Sequence, residues 1–130
     1  MPPIRVLVVD DSILFRTKLQ MSLSEDPNIT VVGSAIDAMD AMKRIEELNP
    51  DVVTLDVEMP KMNGIAFLKQ LIPKRPTKVV VVSSLPINAL DALDAGAIDF
   101  VKKPGPSPGE LRAFIEELKG KIKIAYTAKV

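Results

Sequence analysis

Short β-branched runs alternate along the chain with stretches whose apolar residues recur every three or four positions. This pattern predicts crossover units around a parallel sheet. Ile4 to Val9 is nearly unbroken in its apolar character, as expected of a central strand covered on both faces. Ser12 to Ser24 follows, with Ile13, Leu14, Leu19, Met21 and Leu23 set among polar residues as a helical stripe. The turn signal Asp26-Pro27-Asn28 leads into a second strand, Ile29 to Val32. Asp37 is the expected N-cap of a second helix, in which Met39, Met42, Ile45 and Leu48 recur at helical spacing until Asn49-Pro50 stops it.

Val52 to Leu55 is the expected third strand. It leads into a loop from Asp56 to Asn63, where Asn63 caps a helix that starts beside Gly64, runs from Ile65 to Ile72 and closes at Pro73. Lys78 to Val82, with four consecutive valines, reads as a fourth strand. The helix after it, about Asn88 to Ala95, must be short, because Pro86 precedes it and Gly96 caps it. Ile98 to Val101 is a fifth strand. Gly105-Pro106-Ser107-Pro108-Gly109 separates it from a last helix, Glu110 to about Ile122, with Leu111, Phe114, Ile115 and Leu118 on one face. The lysines and alanines of 121–130, with no acid among them, read as the start of a linker or tail. Right-handed crossovers then give a doubly wound α/β fold with helices on both faces of a five-stranded parallel sheet. In such folds the ligand crevice lies outside the carboxyl ends of the strands.

Composition narrows the chemistry. A chain of 130 residues with 47% apolar content is the size of one domain. Lys+Arg and Asp+Glu both number 17, so no net field draws the chain to nucleic acid or an anionic membrane. The lysine-rich end, with only Tyr126 as a stacking partner, is a poor nucleic-acid contact. Cysteine and histidine are absent, which removes disulfides, thiolate and imidazole ligands, and the usual base of serine and cysteine hydrolases. The amino terminus lacks a signal-peptide pattern and no apolar run approaches roughly 18 residues, so a cytoplasmic location without a membrane span is expected.

What remains is oxygen and ammonium chemistry, and it collects just after strands. Asp10-Asp11-Ser12 follows the first strand, Asp56 the third, Ser83-Ser84 the fourth, and Lys102-Lys103-Pro104 the fifth. Taken singly, Asp11 or Ser12 reads as a helix cap and Lys103 as a solvated charge. Together they are converging carboxylates whose repulsion needs a proton, a lysine or a divalent cation. A hard-oxygen donor set favours Mg2+, with Mn2+ as substitute. Such a site suits phosphoryl transfer, with Lys103 and Ser83 binding phosphoryl oxygens and Asp56 as nucleophile. Neither G-x-G-x-x-G nor G-x-x-x-x-G-K-[ST] is present, and the Asp10-Asp11-Ser12 run does not match the D-x-D of haloacid-dehalogenase-like phosphatases.

The runs V-L-V-V-D-D-S from Val6 to Ser12, D-V-E-M-P-K-M-N-G from Asp56 to Gly64, and G-A-I-D-F-V-K-K-P from Gly96 to Pro104 carry a resemblance. With Ser83 between the last two, they resemble the response-regulator receiver domain of two-component signalling over residues 4 to about 120. The resemblance implies a flavodoxin-like strand order 2-1-3-4-5, a receiver over 1–120 and a linker or tail over 121–130. It implies Asp56 as phosphoacceptor, fed by a histidine kinase, since the chain has no histidine of its own. Mg2+ would be held by Asp11 directly, by Asp10 partly through water, by Asp56 and by the Glu58 carbonyl. Ser83 and Phe100 would form a switch pair, Lys103 would bind phosphate, and the Lys103-Pro104 bond would be cis. Taken alone, Phe100 reads as ordinary core packing.

Within the family, Glu58, Ser83-Ser84-Leu85 and the run ending in Pro104 resemble the regulatory domain of chemotaxis protein-glutamate methylesterases. The esterase site itself, which needs a histidine base, would lie in an effector domain outside these residues. This chain would then only take up and lose a phosphoryl group. Two departures stand out: Asn63 where aspartate is commoner, and a segment between Ser83 and Gly96 about one helical turn shorter than in that subfamily. Alternative outputs are a stand-alone receiver or the receiver of a transcription factor. A metal-dependent hydrolase of small phosphate esters is the alternative of another class.

Overall fold

In the computed structural model, residues 2–59 and 64–127 are described. They alternate as β1 (Ile4–Val9), α1 (Ile13–Ser24), β2 (Ile29–Ala35), α2 (Ala38–Leu48), β3 (Val52–Asp56), α3 (Gly64–Lys74), β4 (Val79–Ser83), α4 (Pro86–Asp94), β5 (Asp99–Lys102) and α5 (Pro108–Thr127). Every pairing is parallel, and the sheet runs β2-β1-β3-β4-β5, the order expected.

The apolar strands are buried on both faces because the pleat sends alternate residues to opposite sides. Leu7, Val9, Val53, Leu55, Val79 and Val81 pack with Ile45, Phe67, Leu68 and Leu71 beneath α2, α3 and α4. Val6, Val8, Val52, Val80 and Val82 pack on the other side with Leu19, Leu23, Phe114, Leu118 and Ile122 from α1 and α5. Each such side chain contributes about 1.5–3 kcal/mol by leaving water.

Several boundaries differ from the sequence expectation. β2 continues to Ala35 because the register shifts between Val6 and Leu7, which pair with Val31 and Gly33 and leave one extra residue in β2. In α1, Leu19 and Leu23 are the buried residues, whereas Ile13, Leu14 and Met21 are exposed. In α2 the expected stripe holds at Met42, Ile45 and Leu48, which pack on the core, but Met39 is 84% exposed and Ala38 and Ala41 are buried in its stead. Small residues let that helix approach the sheet closely, which a ranking by hydrophobicity misses.

Pro73 lies inside the last turn of α3 instead of closing it, and Arg75 N–H still donates to the Leu71 carbonyl at 2.8 Å. Proline removes only its own donor, and near a helix end that is one bond. Pro86 likewise begins α4 rather than preceding it, at a position where the missing N–H has no partner to lose. Gly96 closes α4 with φ 113°, while its own N–H and that of Ala97 return to Leu93 and Ala92 carbonyls at 3.1 and 3.0 Å. The Asn63 cap lies outside the described residues.

α5 begins at Pro108 and passes the expected end near Ile122, reaching Thr127 with Ile122 and Ala125 buried. Lys78 Nζ donates to the Tyr126 carbonyl at 2.6 Å, and Lys123 pairs with Asp26 at 2.8 Å. Residues 121–127, the first part of the segment expected as the start of a linker or tail, thus continue α5, with Ile122 and Ala125 buried.

Candidate functional site

The register sets the site. Val9 pairs with Leu55, Asp56 with Val82 and Ser83 with Lys102, so the strands end at nearly one level and their next residues meet. Strand alternation turns Asp10 and Asp56 toward the side covered by α1 and α5. Ser12 caps α1 by accepting from Phe15 N–H at 3.2 Å, the ordinary role foreseen for it. Ser12 N–H in turn donates to Asp10 Oδ1 at 2.8 Å, and Arg16 Nη1 donates to the Asp10 carbonyl at 2.8 Å. The start of α3 packs against the backbone after Asp56. A Cβ on Gly64 would lie 2.6 Å from Val57 Cα, so only glycine fits there.

Asp10 and Asp56 are each 1% exposed, and Asp11 is exposed beside them. One carboxylate oxygen from each of the three lies within 4.8 Å of the others. Asp56 Oδ1 accepts from Glu58 N–H at 2.9 Å, and Asp56 Oδ2 accepts from Lys103 Nζ at 3.0 Å. Lys103 also stands 5.6 Å over the Phe15 ring. Burial, then the charges of Asp56 and Asp11, push the Asp10 carboxyl up to about 6, against the opposing Ser12 hydrogen bond and the Lys103 charge. Burial alone would lower Lys103, but its bond to Asp56 and the charges of Asp56, Asp10 and Glu58 outweigh that and hold it above its usual range. Three carboxylates against one ammonium leave surplus negative charge in a poorly solvated place. A small oxygen-seeking divalent cation fits that donor set.

Ser83 is buried at the rim, but its hydroxyl is taken by a partner the sequence did not reveal. It donates to Glu58 Oε2 at 2.5 Å and accepts from Leu85 N–H at 3.2 Å. Glu58 further accepts from Ser84 N–H at 2.9 Å, Ser84 Oγ at 2.7 Å and Asn88 Nδ2 at 3.0 Å. Burial would raise this carboxyl, yet these four donors hold it down at about 2. The Glu58 side chain thus ties the β3–α3 loop to the start of α4. The available signal was a carboxylate two residues after Asp56 set against hydroxyls at 83 and 84, but nothing in the spacing aims one at the other.

The remaining expected residues lie apart. Phe100 is half-buried on β5, against the cluster beneath α2–α4. No cis peptide occurs among the described residues, so the Lys103-Pro104 bond is trans, contrary to expectation. The ammonium reaches Asp56 without that isomer, while Lys103 N–H bonds the Ser83 carbonyl at 3.0 Å. Pro104 lines an open groove with Ser84, Lys102 and Phe114.

Residues 6–116 match the response regulator receiver domain family. The chain belongs to that family. It is 50% identical to protein-glutamate methylesterase/protein-glutamine glutaminase 1 of Xanthomonas campestris pv. campestris, over 98% of this chain and 37% of that protein. A counterpart in Syntrophotalea carbinolica is 52% identical, again over 98% of this chain and 37% of the relative. The chain therefore spans little more than a third of the curated relatives it matches. Among solved structures, the response regulator domain of Thermotoga maritima CheB superposes with a TM-score of 0.90 at 42% identity, covering 98% of this chain and 99% of that one. A chain from the complex of the P1 domain of CheA3 with CheY6 of R. sphaeroides gives 0.80 at 27% identity, covering 98% and 100%. This chain is a receiver domain of the methylesterase type of two-component response regulator.

Proposed function

We propose that Asp56 accepts a phosphoryl group from the phosphohistidine of a chemotaxis-type histidine kinase. The observation that carries this reading is the buried Asp56 carboxylate held between Glu58 N–H and the Lys103 ammonium, with two further carboxylates within 4.8 Å. An Asp56 oxygen bonds phosphorus as the phosphorus–nitrogen bond breaks, and the imidazole leaves with the electron pair and takes up a proton. Lys103 transfers its hydrogen bond from the carboxylate to a phosphoryl oxygen, keeping the developing charge paired. Asp10, Asp11, Asp56 and the Glu58 carbonyl would hold Mg2+, or Mn2+ in its place, which neutralises phosphoryl oxygens when bound. Burial first, and then the neighbouring charges of Asp56 and Asp11, raise Asp10, and a cation among the three carboxylates would relieve both.

Phosphorylation then draws the Ser83 hydroxyl from Glu58 to the phosphoryl group, and Phe100 moves into the vacated space while Pro104 carries the adjoining loop. The change biases the surface formed by α4, β5 and α5. The effector is a protein-glutamate methylesterase domain joined through a linker that begins after α5. Relatives near 50% identity carry that name, which favours this output over a stand-alone receiver or a transcription factor. Among the described residues no helix is long and apolar enough to cross a membrane, and we propose that the domain operates in the cytoplasm.

Incubation with Mg2+ and acetyl phosphate should add the mass of one phosphoryl group, and an Asp56→Asn variant should gain none. An unchanged mass, or equal labelling of the variant, rejects Asp56 as acceptor. Steady turnover of a generic phosphate ester would instead favour a small metal-dependent hydrolase.

A further inference from the structure

β5 is one of the two edge strands of the sheet, and its two faces carry different partners. Val101 packs with α5, whereas Phe100 packs with the cluster on the opposite face. Lys121, on the outer part of α5, reaches round this edge. Its Nζ donates to the Phe100 carbonyl at 2.6 Å and stands 5.2 Å from the Phe100 ring centroid. Glu117 Oε2 at 3.0 Å and Asp99 Oδ1 at 3.6 Å pair with the same ammonium. Three anionic or carbonyl groups thus aim one cation at one aromatic face, and that ring is only half-buried.

We infer that Lys121 is a positioning residue that holds the Phe100 ring in its half-buried place against the cluster beneath α2–α4 and so opposes the switch; this rests on the Phe100 role proposed above. A cation over a ring face stabilises the ring where it lies. If phosphorylation requires Phe100 to leave that place, the contact is made in the resting state and lost in the switched one. Only such a differential contact shifts a two-state equilibrium. The carbonyl bond, by contrast, anchors the strand in both states. Lys121 therefore links the switch ring to α5, the helix that leads out of the domain.

The chain has four phenylalanines, so 4-fluorophenylalanine gives a fluorine spectrum in which Phe100→Leu assigns the Phe100 signal. The protein is titrated with Mg2+ and beryllium fluoride, a mimic of the acyl phosphate, and the midpoint is read from that signal and by calorimetry. Lys121→Met should lower the midpoint roughly two- to five-fold, the range expected of an exposed cation–ring contact, while Lys121→Arg, which keeps the cation, should restore it. With leucine at 100 no π face remains, and Lys121→Met should then have no effect on the calorimetric midpoint. An unchanged midpoint in the parent background, or an equal shift in the Phe100→Leu background, overturns the inference while leaving the switch reading standing. A Phe100 signal that beryllium fluoride does not move overturns the switch reading, and this inference falls with it.

Discussion

Asp10 and Glu58 are acids from neighbouring strand ends, and they are treated in opposite ways. Asp10 is enclosed with two other carboxylates, has one backbone donor, and is driven up to about 6 by burial and repulsion. Glu58 is only partly enclosed, yet four donors converge on it and hold it at about 2. The first is a charge the fold fails to satisfy by itself. The second is satisfied and serves as a tie between the β3–α3 loop and the start of α4. Unmet charge beside Asp56 marks the place where something must bind. Under the proposed switch, the fully met charge beside Ser83 is the restraint that phosphorylation releases.

The comparison breaks most visibly at the cation. Replacing Asp11, whose carboxylate is exposed and makes no described hydrogen bond, by alanine should leave folding nearly unchanged but weaken Mg2+ binding by roughly tenfold or more. Even groups that merely support metal ligands are worth that much. A competition titration against a fluorescent Mg2+ indicator checks it.

The next effect is in stability without Mg2+. The Asp10 carboxyl sits at about 6 in the folded chain against an ordinary value of 3.8. The folded state therefore binds the extra proton between those values, and stability falls as pH rises through that window, by about 2–3 kcal/mol once complete. Glu58 has the reverse sign, because its depressed value contributes stability that is present above 4.5 and lost as pH falls toward about 2. Urea unfolding across pH should show both limbs. Asp10→Asn should flatten the upper one and Glu58→Gln the lower one.

A smaller effect follows from the tie itself. Glu58→Ala releases four donors near the surface and should cost about 1–2 kcal/mol, with faster exchange of the Ser84 amide. The smallest is expected at the far end of α5, where Lys123→Met, opposite Asp26, should change stability by about 0.5 kcal/mol or less, as partly exposed ion pairs do.

The acid pocket was legible in the sequence and the tie was not, for a physical reason. Strands buried on both faces leave runs such as Val79 to Val82 that can be nothing else, and a parallel sheet sends the residues after its strands to one edge. Asp10, Asp11, Asp56 and Lys103 follow from those two facts. Glu58 and Lys121 act through side chains that cross a loop or a sheet edge, and no periodicity encodes such directions. Helix faces were the weaker part of the fold reading, since Met39 and Ile13 are apolar yet exposed while Ala41 is small and fully buried. The end of α5 was missed because lysines at 121 and 123 mask Ile122 and Ala125, which the core takes up.

The central claim is that three converging carboxylates await a divalent cation, and its most direct test is the effect of Mg2+ on urea stability at pH 7 and at pH 4. Mg2+ should stabilise the protein at pH 7, stabilise it far less at pH 4, where Asp10 carries its proton, and leave an Asp10→Asn, Asp11→Asn variant unaffected at either pH. Equal stabilisation of the variant, or none of the parent chain at pH 7, would contradict it.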